Sequence, residues 1–209
     1  MGDALADSDL VEEVVPLGGT ALHVLRPRDP EELLDEEAFE HEEYIPYWAA
    51  LWPSGVALAR MVARRALRRA RTLELGCGLG LPSIAAALVG GRVVASDWSP
   101  EAIDLLELNA ARNGAALETL RCDWARPEPV VERAPWDLVL AADVLYERRN
   151  LTLLEALLPR LVTGGGEVLL ADPGRPLAEA FLGAVERGFE RRTTVHGRVS
   201  IHRLRRRAA

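Results

Sequence analysis

The chain has 209 residues, 32 acidic and 25 basic side chains and a formal net charge of −7, and every Lys/Arg position is arginine, because lysine does not occur. That absence excludes chemistries built on a lysine amine: Schiff-base and pyridoxal-phosphate enzymes, P-loop nucleotide hydrolases and protein kinases. An apolar content of 49% suffices for one well-formed core.

The acidity is concentrated. Residues 29–43 hold nine carboxylates (Asp29, Glu31, Glu32, Asp35, Glu36, Glu37, Glu40, Glu42 and Glu43) and no arginine, which leaves the rest of the chain slightly basic. Such a run is either a solvated helix face or an acidic rim that attracts a basic substrate. Cys77 and Cys122 lack CxxC spacing, and His23, His41, His196 and His202 lack ligand spacing, so neither a disulfide framework nor a metal site is expected. No apolar stretch approaches the roughly 18 residues of a membrane span, and the start of the sequence is acidic where a signal peptide is basic. The expectation is a cytoplasmic protein with no membrane partner. The arginine-rich end, Arg203 to Arg207, reads as a solvated tail, and no nucleic-acid partner is expected from one such run.

In chain order, two short apolar runs at 13–17 and 21–26 flank Gly18-Gly19 and predict a hairpin. The acidic segment and an aromatic entry, Tyr44 to Pro53, follow. Residues 54–70 set Val56, Leu58, Ala59, Val62, Ala66 and Leu67 against arginines and predict an amphipathic helix. A strand (71–75), a glycine-rich turn and a helix (82–89) come next, then a strand (92–96). Ser99 caps a further helix with Pro100 in its first turn and Asn113-Gly114 at its end. Strands at 117–121, 136–142 and 167–171 alternate with helices at 150–162 and 177–187, and strands at 189–196 and 198–204 surround Gly197. This alternation predicts a parallel sheet covered on both faces, closed by one antiparallel hairpin, with ligands bound just beyond the carboxyl ends of the strands.

The loop after the 71–75 strand, Glu74-Leu75-Gly76-Cys77-Gly78-Leu79-Gly80, spaces its glycines as GxGxG. A dinucleotide fingerprint would place its third glycine at 81, where Leu81 stands. A carboxylate two residues before Gly76 opposes a pyrophosphate but matches the cationic amino group of a methionine moiety, so the loop favours S-adenosylmethionine over NAD. Asp97, 21 residues after Gly76, can accept from both ribose hydroxyls, with Trp98 beside it to cover the adenine. Asp123 can accept from the adenine amine and Trp124 pack on the ring. Each acid alone reads equally well as a cap or a surface charge; three acids after three successive strands read together as a site.

These residues, with Ala142-Asp143-Val144-Leu145-Tyr146, resemble the class I, seven-strand S-adenosylmethionine-dependent methyltransferases, in the branch (family 16) that holds many protein lysine methyltransferases. Two stretches, Pro46 to Arg60 with its Trp48-x-x-x-Trp52-Pro53, and Asp172-Pro173-Gly174-Arg175-Pro176, are similar to the electron-transfer flavoprotein β-subunit lysine methyltransferases. The resemblance implies an α/β, Rossmann-like, seven-strand, mostly parallel sheet spanning 44–209, preceded by a hairpin and acidic extension at 1–43. It implies S-adenosylmethionine contacts from the Gly76–Gly80 loop, including Cys77, and from Asp97, Asp123 and Trp52, with Ala142 beside the cofactor. It also implies a protein substrate, the electron-transfer flavoprotein β subunit first.

Methyl transfer from a sulfonium is an in-line displacement that needs positioning more than acid–base help, and a lysine nucleophile must arrive neutral. Asp143 is placed to accept a hydrogen bond from the amine, and Tyr146 to wall the channel or bond the substrate. Their spacing is that of the Asn/Asp-Pro-Pro-Tyr tetrad of other amino-methylating enzymes, without its prolines. Arg175 reads either as a contact for an acidic patch on the substrate or as a brace for its loop. The alternatives are a methyltransferase acting on a small molecule or another residue, a nicotinamide-dependent oxidoreductase, and a silent binding module.

Overall fold

The computed structural model describes residues 9–30, 46–162 and 164–207. The acidic segment 29–43, read as a solvated helix face or an acidic rim, falls almost wholly outside them. Strands β1 (Leu10–Pro16) and β2 (Ala21–Pro27) form the expected hairpin, longer than predicted at its open end. A 3-10 turn (Tyr47–Ala49) leads into α1 (Pro53–Val62), which begins on Pro53, where a missing N–H costs nothing.

Helix α1 stops eight residues before the predicted end. The chain turns through Arg68 and Arg69 at φ 44° and 66°. There the N–H groups of Leu67 and Arg69 donate to the carbonyls of Val89 and Gly90, at 3.2 and 2.7 Å, instead of to a preceding helical turn. Amphipathic spacing persisted past the point where a tertiary contact captured the backbone.

Then follow β3 (Arg71–Leu75), α2 (Leu81–Leu88), β4 (Arg92–Asp97), α3 (Pro100–Arg112), β5 (Glu118–Arg121) and α4 (Glu128–Val131). The chain continues through β6 (Leu138–Ala142), α5 (Arg148–Leu161), β7 (Glu167–Asp172), α6 (Ala178–Val185), β8 (Phe189–His196) and β9 (Val199–Arg206). Seven strands pair in the order β5-β4-β3-β6-β7-β9-β8, parallel from β5 to β7 and antiparallel at β9 and β8, as the alternation predicts. The short α4 was not predicted among its prolines. It forms where buried Val130 packs and its carbonyl accepts from the Trp136 indole at 3.1 Å.

The strands alternate strictly. Leu138, Leu140, Leu169 and Ala171 face the core under α1 to α3, whereas Val139, Ala141, Val168 and Leu170 face the core under α5 and α6. Val15, Leu22 and Val24 of the hairpin belong to the first of these cores, and each such burial contributes about 1.5–3 kcal/mol. Two asparagines of α3 and its C-cap hold the free edge of β2 as a third strand would. Asn113 exchanges hydrogen bonds with the backbone of His23 at 2.8 and 2.9 Å, and Asn109 with that of Leu25 at 2.7 and 3.1 Å. Among the described residues no helix is long and apolar enough to cross a membrane, and no cluster of His, Cys, Asp or Glu could hold a metal ion.

Candidate active site

The chain runs outward from β3 to β4 and β5, then returns to β6 on the other side of β3, so the loops after β3 and β6 diverge. A cavity of about 930 Å³ opens at these carboxyl ends. Every site residue expected from the sequence lines it, from Trp52 and Glu74 through Asp97 and Asp123 to Asp143 and Tyr146.

On the β3–β5 side the polar groups are taken up within the protein. Gly80 is irreplaceable: its φ is +80°, and an added Cβ would lie 1.9 Å from Leu106 Cδ1. The carboxylate of Glu74, expected to meet a ligand amino group, accepts from the Ser83 N–H at 2.9 Å and from the Ser83 hydroxyl, fastening the first turn of α2. Burial pushes its pKa up to about 8. Asp97, also buried and raised by desolvation, accepts from Gly78 N at 2.9 Å and Ser99 N at 3.2 Å, which ties the glycine loop to β4. Burial pushes the Cys77 thiol well up, leaving it a small apolar filler of the loop. Asp123 accepts from Ala125 N at 2.9 Å and stays partly open to solvent. Trp124 lies under Gly76, Trp98 is exposed at the mouth, and Ala142 is half-buried at the end of β6.

On the β6–β7 side the arrangement is different. Asp143 has φ +57°, a left-handed backbone unusual outside glycine, and its N–H donates to Ala171 O at 2.9 Å. Its side chain is 4% exposed; Oδ1 accepts from Arg175 Nε at 2.8 Å, and Oδ2 is buried with no partner among the described residues. The Arg175 guanidinium also lies 5.7 Å above the Trp52 ring. Trp52 Nε1 donates to Tyr47 O at 2.7 Å, and the rings of Tyr47 and Tyr146 are 5.0 Å apart. Desolvation pushes the Tyr146 hydroxyl up to about 12, so it stays a neutral donor. Arg175 is therefore a partner of Asp143, one of the two roles its sequence left open being a brace. Tyr47, given no role from the sequence, belongs to the rim; its position five residues before Trp52 in an aromatic-rich run was the available signal.

Solved structures of similar shape define the class first. The 16S rRNA N2 G1207 methyltransferase of T. thermophilus superimposes with a TM-score of 0.69 at 15% identity, covering 95% of this chain and 51% of that one. Aeropyrum pernix fibrillarin with natively bound S-adenosyl-L-methionine gives 0.57 at 15% identity, over 73% and 76% of the two chains. The fold is thus the Rossmann-like methyltransferase fold. The signature of the lysine methyltransferase family matches residues 39–187, and the chain belongs to that family. Electron transfer flavoprotein beta subunit lysine methyltransferases of Danio rerio and Homo sapiens are 37% and 35% identical over 62% and 63% of this chain. The histone-arginine methyltransferase METTL23 of Mus musculus is 32% identical over 65% of this chain. The chain aligns with only about half the length of each of these relatives, 51%, 50% and 51%.

Proposed function

We propose that this chain transfers a methyl group from S-adenosylmethionine to a lysine side-chain amine of a protein, with the electron-transfer flavoprotein β subunit as substrate. The observation that carries the reading is Asp143: a buried carboxylate with one oxygen unpartnered, at the end of β6 among Tyr47, Trp52 and Tyr146. Such an oxygen costs free energy unless an incoming donor meets it, and an amine N–H is such a donor.

The residues present fit the cofactor. Carboxylates at two strand ends, Asp97 and Asp123, suit hydroxyls and an exocyclic amine. A pyrophosphate fits less well, since the Ser83 N–H at the start of α2 is already taken up by Glu74. Bound S-adenosylmethionine supplies the electrophilic methyl. The Gly76–Gly80 loop offers it a close backbone approach, Asp97 and Asp123 accept from its ribose and adenine, and Trp124 packs beside the loop. Asp143 orients the lone pair of the amine, and the aromatic rim excludes water. Catalysis then rests on position, as expected for a displacement.

The test is incubation with methyl-labelled S-adenosylmethionine and recombinant electron-transfer flavoprotein, followed by peptide mapping. Because the enzyme contains no lysine, every methyllysine found belongs to the substrate. Label on a β-subunit lysine supports the reading; label only in small molecules overturns it. The resemblance to METTL23 favours arginine as the second reading, and methylarginine in a cognate proteome would establish it.

A further inference from the structure

We infer that Arg175 cancels the charge of Asp143, so that this carboxylate orients the substrate amine as a hydrogen-bond acceptor without trapping it as an unreactive ammonium. The inference rests on the amine-methylating reading above and assigns a positioning role to a residue of the same cavity.

The site poses a conflict. A lysine amine attacks through its lone pair and must be neutral, yet the group placed to orient it is a buried carboxylate. An ammonium held against an unbalanced carboxylate at contact distance has its pKa raised by roughly one to three pH units. Arg175 removes that bias. Its Nε donates to Asp143 Oδ1 at 2.8 Å, which makes the pair neutral, while Oδ2 keeps its accepting capacity. Its guanidinium also covers the face of Trp52, one aromatic surface of the rim that attracts cations.

The backbone holds this arrangement. Asp172 Oδ1 accepts from Gly174 N at 2.7 Å and Arg175 N at 2.8 Å, pinning the turn that aims Arg175 at Asp143. The other charged and titratable groups facing the pair are Asp172 at the end of β7 and the Tyr47 hydroxyl. Behind Asp172 lies His202 of β9, and around the cavity lie Tyr146, Glu147, Asp97 and Arg149. Burial raises the Asp172 carboxyl while its Gly174 and Arg175 N–H donors lower it, and the Arg175 side chain bonds Asp143. The proton lost by the substrate ammonium leaves to water before the nitrogen lone pair is used.

Two neutral variants, Arg175→Gln and Arg175→Met, and the charged Arg175→Lys test this. Cofactor-free protein is titrated with n-butylammonium chloride by NMR. The neutral variants are expected to bind it about tenfold more tightly than the natural protein, and Arg175→Lys to bind as the natural protein does. In lysine methylation of the flavoprotein β subunit, the pH profile of kcat, which reports the bound amine, should move for the neutral variants by about one pH unit or more to higher pH, recovering in alkali. Unchanged n-butylammonium affinity in both neutral variants, or an activity loss equal at every pH, would make Arg175 a purely structural brace and overturn the inference. Tighter n-butylammonium binding with no lysine methylated by the natural protein would reject the proposed activity and leave the charge balance standing.

Discussion

The two halves of the cavity rim are built on opposite terms. At the ends of β3 and β4, left-handed backbone is carried by glycines and each carboxylate has its bonds: Glu74 to Ser83, Asp97 to Gly78 and Ser99. At the ends of β6 and β7, left-handed backbone falls on Asp143 as well as on Gly174, and Asp143 and Asp172 each keep one buried oxygen without a partner among the described residues. The first half is already satisfied before anything binds, which suits a cofactor held the same way in every turnover. The second stores strain and unmet hydrogen-bonding capacity, which under the proposed reaction an arriving amine would relieve.

The sharpest way to break this contrast is to remove Asp143. Asp143→Ala is expected to lower methyl transfer by about 10²-fold or more while S-adenosylhomocysteine affinity, measured by calorimetry, changes only a few-fold. Equal activity would remove Asp143 from the mechanism and with it the distinction between the halves. Gly80→Ala attacks the other half: a Cβ against Leu106 at φ +80° should cost roughly 2–5 kcal/mol in urea unfolding.

A pair of α3 variants sharpens how the glycine loop is held. Asn109 is fully buried and, besides the hairpin, donates to Leu79 O of the loop at 3.2 Å; the Asn113 side chain bonds the hairpin and the Asn109 carbonyl. Asn109→Ala should cost about 2–4 kcal/mol and also weaken S-adenosylhomocysteine binding, whereas Asn113→Ala should cost about 1–2 kcal/mol and leave binding unchanged. Equal binding losses would mean that the hairpin, not the loop contact, supports the site.

A further effect is a pH dependence. The folded protein holds a proton on Glu74 up to about pH 8, while the unfolded chain releases it near the ordinary 4.5. The folded state therefore binds more protons within that window, and stability falls as pH rises through it, by up to about 1.4 kcal/mol per pH unit. Glu74→Gln should flatten this slope relative to the natural protein in denaturant titrations at pH 5.5 and 7.5. Parallel slopes would show that Glu74 is ionised when folded.

Much of this was legible in the sequence because its signals are local. Period-2 and period-3.6 patterns set the strands and helices, Ser99 and Pro100 marked the start of α3, and acids just past strand ends pointed to the rim. One feature was misread: the spacing of 54–70 predicted an unbroken helix although distant carbonyls capture Leu67 and Arg69. The bond from Ser83 to Glu74, nine residues back, was not visible in the sequence either, although Glu74 lines the cavity as expected.

The sequence by itself determined most of the element order, the mostly parallel sheet, the glycine loop and many of the residues that line the cavity, since each follows from spacing along the chain. Only the tertiary structure decided which groups meet. Asp143 and Arg175 are 32 residues apart, on loops after adjacent strands, and Asn109 reaches Leu25 across 84 residues. No local pattern encodes such pairings, because the register of β6 against β7 and the packing of the hairpin on α3 bring them together only when the whole sheet is assembled.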